Sequence, residues 1–227
     1  MPTYAPLVWD NTGEKKFETG TKKGVLFVMN DDGTYRNGVA WNGLTSVSLS
    51  NSGADETALW ADDIKYASLR SAEEFGATIE AYQCPREFYE CDGTAEVVPG
   101  MYVGQQTRRS FGFSYVTTIG NDVQGNDYGY KIHLIYNASA NPSERSYQTI
   151  NESPDAITLS WEITTTPVAF TGYKNVAHIE IDSTKFTTEA QRAALKDLED
   201  QLWGSESNNS TLPSPADVKT YLTVSTS

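Results

Sequence analysis

The chain has 227 residues with 17 Lys+Arg against 30 Asp+Glu, a formal charge of −13 at pH 7 that repels a phosphate backbone and speaks against nucleic-acid binding. Hydrophobic residues make up 38% and aromatics 11%, enough to build a packed core. The longest apolar run, Val25 to Met29, is far too short to cross a bilayer as a helix.

The start, Met1-Pro2-Thr3-Tyr4-Ala5-Pro6, lacks the basic residues, apolar stretch and cleavage site of a secretory signal, so synthesis and folding in the cytosol are expected. Residues 1–24 scatter Leu7, Val8, Trp9 and Phe17 among turn formers and read as an N-terminal arm. From residue 25 onward, period-2 alternation dominates. Thr45–Ser50, Ala77–Tyr82, Phe111–Tyr115, Lys131–Tyr136, Ile157–Thr164 and Ala177–Asp182 each place apolar residues on one face and polar residues on the other. Turn chemistry at Asp31-Asp32-Gly33, Asn51-Ser52-Gly53, Asp92-Gly93, Pro99-Gly100 and Gly125-Asn126-Asp127 separates them, as antiparallel hairpins require. The segment Asn51–Ile64 is expected to be an extended hairpin with the polar tip Asn51-Ser52-Gly53-Ala54-Asp55-Glu56; its Leu59 and Trp60 have no place in a strand core. A helical turn is expected over Pro85–Glu90, with Phe88 pointing inward.

One full helix is signalled: Thr188 caps it with Gln191 three residues on, Ala194, Leu195, Leu198 and Leu202 form its stripe, and Gly204 closes it. Beyond it, the polar Ser205–Ser210 and the Leu212-Pro213-Ser214-Pro215 run read as a linker to an arm carrying Val218, Tyr221, Leu222 and Val224. The expectation is an all-β chain, an antiparallel β-sandwich or barrel over residues 25–204 with one packed α-helix near its C-terminus, flanked by arms 1–24 and 205–227.

Signals for chemistry are weak. His133 and His178, the two histidines that could serve as bases, both fall in strand patterns and read as half-exposed strand residues. The doublets Asp62-Asp63 and Glu73-Glu74 cannot face one another across a sugar, because neighbours in an extended chain point to opposite faces. The Asn/Asp clusters lack the ligand spacing of a calcium loop, and no glycine-rich stretch has nucleotide-binding spacing. Cys84 and Cys91 match no zinc or redox spacing and are expected to be reduced thiols. No catalytic residue, metal or cofactor is assigned.

An ordered series of segments carries more information. It begins with Gly38-Val39-Ala40-Trp41-Asn42-Gly43-Leu44-Thr45, Leu59-Trp60-Ala61-Asp62-Asp63-Ile64-Lys65-Tyr66, Ala72 through Tyr82, and Cys91-Asp92-Gly93. It continues through Arg108-Arg109-Ser110-Phe111-Gly112, Gly120-Asn121-Asp122, Tyr128 through Leu134, Ser160-Trp161-Glu162, Thr164 through Val168, Ile181 through Lys185 and Leu202-Trp203-Gly204. This series, spanning nearly the whole chain, resembles the major tail tube protein of long-tailed bacteriophages with non-contractile tails. The Ser205–Pro215 stretch and the arm beyond it depart from the pattern.

The resemblance implies a β-sandwich subunit that forms rings, usually hexameric, whose inner sheets join edge to edge. Such rings stack around a tape-measure protein between tail-tip and tail-terminator proteins, and the lumen carries DNA without binding it specifically. The implied place is the virion tail, made in the host bacterial cytoplasm, with no membrane contact. Under that expectation Asn51, Asp55, Leu59 and Trp60 contact the next ring, and Thr78, Glu80, Ser160 and Glu162 face the lumen, whose acidic wall would repel DNA. A monomeric β-sandwich carbohydrate-binding module using exposed Trp and Tyr is the alternative from a different class, and a hydrolase the third.

Overall fold

The structure, a computed structural model, describes residues 6–143, 145–147, 149 and 156–223. The strands are β1 (Lys16–Val28), β2 (Val39–Trp41), β3 (Leu44–Leu49), β4 (Ser52–Gly53), β5 (Glu56–Ala61), β6 (Ile64–Arg70) and β7 (Glu73–Glu74). They continue as β8 (Gly76–Ala81), β9 (Ala95–Val98), β10 (Met101–Val103), β11 (Phe111–Asn121), β12 (Gly125–Ala140), β13 (Leu159–Thr165) and β14 (His178–Asp182), followed by the helices α1 (Glu189–Trp203) and α2 (Pro215–Leu222). The chain is mostly β and every strand pair is antiparallel, so the expected all-β sandwich with a helix packed near the C-terminus is what the sequence forms.

The main sheet runs β2-β1-β11-β12-β13-β8-β3, with β14 pairing β12 off that path. Its two ends, β2 and β3, are consecutive in the chain and joined at Asn42-Gly43, where Gly43 sits at φ 77. The curled sheet is therefore held shut by one continuous segment.

The hinge of the architecture is in β12. Its first half pairs with β14 over Lys131–Ile135, and its second half pairs with β13 over Ala138–Ala140. Between them lies a bulge against β11 that includes Asn137, at φ 46, whose backbone N–H donates to the Tyr35 hydroxyl at 2.9 Å. An extra residue inverts the alternation. Ile135, Ala138 and Ala140 consequently share one core, while Ile132, Leu134 and Tyr136 belong to another.

The first core lies between β1-β11-β12 and the layer β13-β8-β3. Trp41, Phe88, Phe113 and Trp161 cluster there with ring centroids 4.6–5.4 Å apart in tilted and edge-on pairs. Such pairs add about 0.5–1.5 kcal/mol each beyond the apolar area they bury. Phe88 reaches this cluster from a 3-10 turn at Arg86–Glu90, as expected. The second core lies on the other side of the sheet, where Val25, Phe27, Val116, Ile132, Leu134, Tyr136 and Ile181 meet Leu195, Leu198 and Leu202 of α1. Thr188 and Gln191 form the expected capping box on α1, and Gly204 follows its last turn at φ 78.

Three expectations are corrected. The residue 1–24 arm contains the start of a strand, because β1 begins at Lys16; Lys16, Lys22, Lys23 and Gly20 hid it by breaking the alternation. Ile157, grouped above with the buried face of its segment, lies outside β13 and is exposed.

The third correction concerns the 205–227 segment, which is no arm awaiting a partner as far as Thr223. Ser214 caps α2 and forms a capping box with Asp217, while Pro215 takes the first helical position, where a missing N–H costs nothing. Leu212 and Val218 are buried in the second core, Tyr136 donates its hydroxyl to the Pro213 carbonyl at 3.1 Å, and the Thr211 N–H donates to the Gln201 carbonyl at 2.8 Å. Val224 of the expected arm lies outside the described residues.

Candidate functional site

The segment that departs most from the body is the hairpin Asn51–Glu74. It is longer than expected, and its turn is at Asp62-Asp63, both at positive φ (50 and 62), as a two-residue turn matched to strand twist requires. The expected tip lies instead at the base, where β4 pairs β7. Asn51 Nδ2 donates to Glu73 Oε1 at 2.9 Å and the Asp55 N–H donates to Ser71 Oγ at 3.0 Å, so both residues fix the hairpin's root. Gly53, at φ 79, could not carry a side chain there, since a Cβ would sit 2.3 Å from the Ala72 carbonyl oxygen.

Register then sorts the hairpin's side chains. Leu59 pairs with Ala67, Thr57 with Leu69 and Ala61 with Ile64, which gives one face of Thr57, Leu59, Ala61, Ile64, Ala67 and Leu69. The other face carries Glu56, Ala58 and Trp60 opposite Arg70, Ser68 and Lys65, with an irregularity between Leu59 and Trp60. Glu56 is bound there by Lys65, by Ser68 Oγ at 2.6 Å and by Arg70 at 3.7 Å; the Lys65 and Ser68 contacts hold its carboxyl below the ordinary range. Leu59 and Trp60, expected to anchor one contact together, therefore point to opposite faces. Among the described residues no element covers the apolar face: Leu59, Ile64 and Leu69 are all exposed, Ile64 by 63%.

The four residues expected to face a lumen are brought together. Ser160 pairs with Glu80 and Glu162 with Thr78, while Ser46 Oγ donates to Glu80 Oε2 at 2.7 Å from the neighbouring strand. Behind them Ala77, Ile79, Ala81, Trp161 and Ile163 are buried in the first core, so the polar set forms the outer face of β3-β8-β13. A second polar row crosses the uncovered end of the other sheet. Lys131 bridges Glu18 at 2.8 Å and Glu180 at 2.9 Å, and Thr117 Oγ1 donates to Glu18 at 2.5 Å.

His133 is not half-exposed as expected: it is buried, stacked on Tyr115 at 4.5 Å, with Nε2 3.0 Å from Thr117 Oγ1 and Nδ1 3.2 Å from His178 Nε2. His178 stacks in turn on Phe75 at 4.8 Å. Burial pushes both imidazoles down, His178 to about 4, which leaves both neutral at pH 7 and poor at taking a proton. Cys84 and Cys91 are free, and burial raises their thiols to about 11 and about 12. Among the described residues, no three His, Cys, Asp or Glu side chains are grouped to hold a metal ion. No helix among them is long and apolar enough to cross a membrane.

No family model and no curated protein matches this chain. What distinguishes it must therefore be read from its surface, where Leu7, Val8 and Trp9 near the N-terminus repeat the hairpin's exposure. Sequence reasoning missed Ile64, Ala67 and Leu69. Alternation is present in Ile64–Arg70, but the register that sets it against β5 depends on the Asp62-Asp63 doublet being the turn itself, where the sequence suggests a solvated hairpin edge.

Proposed function

We propose that this chain is a structural virion subunit, the major tail tube protein of a long-tailed, non-contractile bacteriophage, which polymerises into stacked rings and has no catalytic role. The observation that carries this reading is the hairpin Asn51–Glu74: a two-stranded ribbon is marginal alone in water, yet this one presents an uncovered face of Leu59, Ile64, Ala67 and Leu69. A soluble monomer gains nothing from such a face, whereas a subunit that stacks on its own kind buries it. Leu59, with Ile64 and Leu69, supplies the apolar contact to the next ring. Trp60 contributes from the opposite side, and Asn51 and Asp55 act by holding the root.

In this reading the outer face with Thr78, Glu80, Ser160 and Glu162 borders the channel, and its carboxylates, with the charge of −13, keep DNA from adhering in transit. The subunit's partners are its own copies, a tape-measure protein inside the tube, and the tail-tip and tail-terminator proteins at its ends. Negative-stain microscopy and sedimentation over a concentration series, with the purified chain alone and with tape-measure and tail-tip partners, test this. Rings or tubes are expected. A chain that stays monomeric throughout and is retained on polysaccharide would replace this reading with that of a carbohydrate-binding module.

A further inference from the structure

A cavity of about 990 Å³ opens between the root of the hairpin and the segment that leads into β14, lined by Arg70, Glu73 and Phe75 from the first and by Lys174, Val176 and His178 from the second. In a chain of charge −13, this lining carries two cations against one carboxylate. Glu73 is already engaged by Asn51 Nδ2 at 2.9 Å. Arg70 lies 3.7 Å from Glu56, which Lys65 and Ser68 hold more closely, and among the described residues Lys174 forms no ion pair. Both cations are available to a ligand.

The protonation of His178 follows from a hydrogen-bond chain that starts three strands away. Thr117 Oγ1 gives its only proton to Glu18, a carboxylate that can only accept, so the same oxygen must accept from His133 Nε2 at 3.0 Å. A neutral His133 with its proton on Nε2 presents a lone pair at Nδ1, and His178 Nε2 donates to it at 3.2 Å. Nδ1 of His178 is then a lone pair with no partner among the described residues, and it is the ring nitrogen left to meet whatever enters the cavity that His178 lines.

We propose that this cavity is a binding site for a small oxyanion of the phosphate type, held by Arg70 and Lys174, and that His178 takes a proton on Nδ1 as the anion binds. The proposal does not rest on the assembly reading. A free divalent ion and the phosphate group of a small organic monoester share the required chemistry; Phe75 and Val176 provide an apolar wall for the body of the second.

The chain of hydrogen bonds makes His178 the place where the proton goes. A proton on its Nδ1 breaks none of the three bonds and strengthens the donation from Nε2 to His133. A proton on His133 Nδ1 would instead set two N–H groups head-on across 3.2 Å. The rings are fixed in this order by stacking, Phe75 on His178 at 4.8 Å, His178 on His133 at 5.5 Å and His133 on Tyr115 at 4.5 Å. Charges facing the pair are Glu18 from β1, Lys131 from β12 and Glu180 from β14, with Arg70, Glu73 and Lys174 around the cavity. Without a ligand, burial and the neighbouring His133 keep His178 neutral at pH 7. An anion at the cavity favours the imidazolium, and by reciprocity each proton gained favours the anion.

Isothermal calorimetry on the dilute full chain tests this with two probes, sulfate, which stays divalent at every pH used, and phenyl phosphate. Sulfate should bind at least roughly tenfold more tightly at pH 5 than at pH 7, with uptake of a proton read from the heats in buffers of different ionisation enthalpy. Arg70→Gln with Lys174→Gln should weaken binding roughly tenfold or more at both pH values, and His178→Gln should remove most of the pH dependence. Phenyl phosphate binding at least about tenfold more tightly than sulfate at pH 7 would support the site and identify its ligand as a monoester, and equal binding would support it with a free ion as the ligand. Absence of binding by either probe at about 10 mM, or full binding by the Arg70/Lys174 variant, would overturn the site. Binding of sulfate without proton uptake would overturn the coupling to His178, a result that stands even if His178→Gln fails to fold. Ring formation, scored separately by microscopy, is unaffected by any of these outcomes.

Discussion

The sandwich body and the hairpin Asn51–Glu74 are both built from alternating strands, yet they meet water in opposite ways. In β8 the alternation Ala77, Ile79, Ala81 is fully buried beneath Trp161 and Trp41, and the intervening Thr78 and Glu80 form a polar surface. In β5 and β6 the residues Leu59, Ala67 and Leu69 likewise share one face, but among the described residues no layer lies over it. Alternation therefore says that a strand has one apolar face; it does not say whose atoms cover that face. The body's apolar faces are covered by its own chain, and the hairpin's Leu59, Ile64 and Leu69 are exposed.

The comparison breaks first, and hardest, in the body. Replacing Trp161 with Ala opens a cavity where four aromatic rings meet, and should lower the unfolding free energy by about 3–5 kcal/mol in a denaturant titration. A loss below about 1 kcal/mol would mean that the aromatic cluster is not the centre of stability. The C-terminal segment follows. Val218→Asp places an unpaired carboxylate in the second core and should cost about 2 kcal/mol by releasing α2. Limited proteolysis should then clip the variant after Gly204 while sparing wild type; cleavage of wild type at the same rate would show that α2 does not hold to the body.

A smaller effect follows from the buried imidazoles. Unfolded histidine titrates near 6.5, whereas in the fold His133 lies below that and His178 at about 4, so between these values the unfolded chain binds more protons. Stability should accordingly be full above pH 6.5 and fall as the pH drops toward 4, with little further loss from these two groups below that. Glu18, whose carboxyl Lys131 and Thr117 hold down against the opposing effect of burial, adds loss in the same direction at the acid end. Urea titrations from pH 7 to pH 4 should show a loss on the order of 1 kcal/mol from His178, less than its full shift implies because solvent reaches part of the ring. His178→Asn should flatten the profile, and an unchanged slope in that variant would remove the histidine account.

Most of the body was legible in the sequence because its signals are local. Thr188, Gln191 and Gly204 announce α1, and β3, β8, β11, β12, β13 and β14 announce themselves by period, whereas β9 and β10 do not. What was not legible depends on partners far along the chain. His133 looks polar by its place in β12, but Tyr115 and His178 seal it from strands on either side. Leu212-Pro213-Ser214-Pro215 looks like a linker until α1 and Tyr136 provide the surface on which Ser214 and Pro215 start a helix. The hairpin was half legible: its existence followed from composition, but its turn and faces followed from a register that the Asp62-Asp63 conformation sets. Thr78, Glu80, Ser160 and Glu162 were the easier set, because strict period-2 alternation in two adjacent strands places all four on one face without knowledge of the register.

The smallest expected effect on folding is the one that separates the two regions. Leu59→Ser with Leu69→Ser removes apolar atoms that touch no core, so the unfolding free energy should stay within about 0.5 kcal/mol of wild type, while ring stacking is lost. A loss of 2 kcal/mol or more would place the hairpin's face within the subunit's own core.

Amide hydrogen exchange, followed residue by residue in the dilute subunit and again in assembled rings, tests the central claim most directly. In the free subunit β8, β11 and β12 should exchange slowly and β5 and β6 quickly, because only the former have both faces packed or one face sealed against a core. On assembly the amides of Glu56–Arg70 should slow by roughly tenfold or more while the body changes little. Equal protection of the hairpin and the body in the dilute subunit, or fast exchange of the hairpin that persists in the assembled state, would contradict the account.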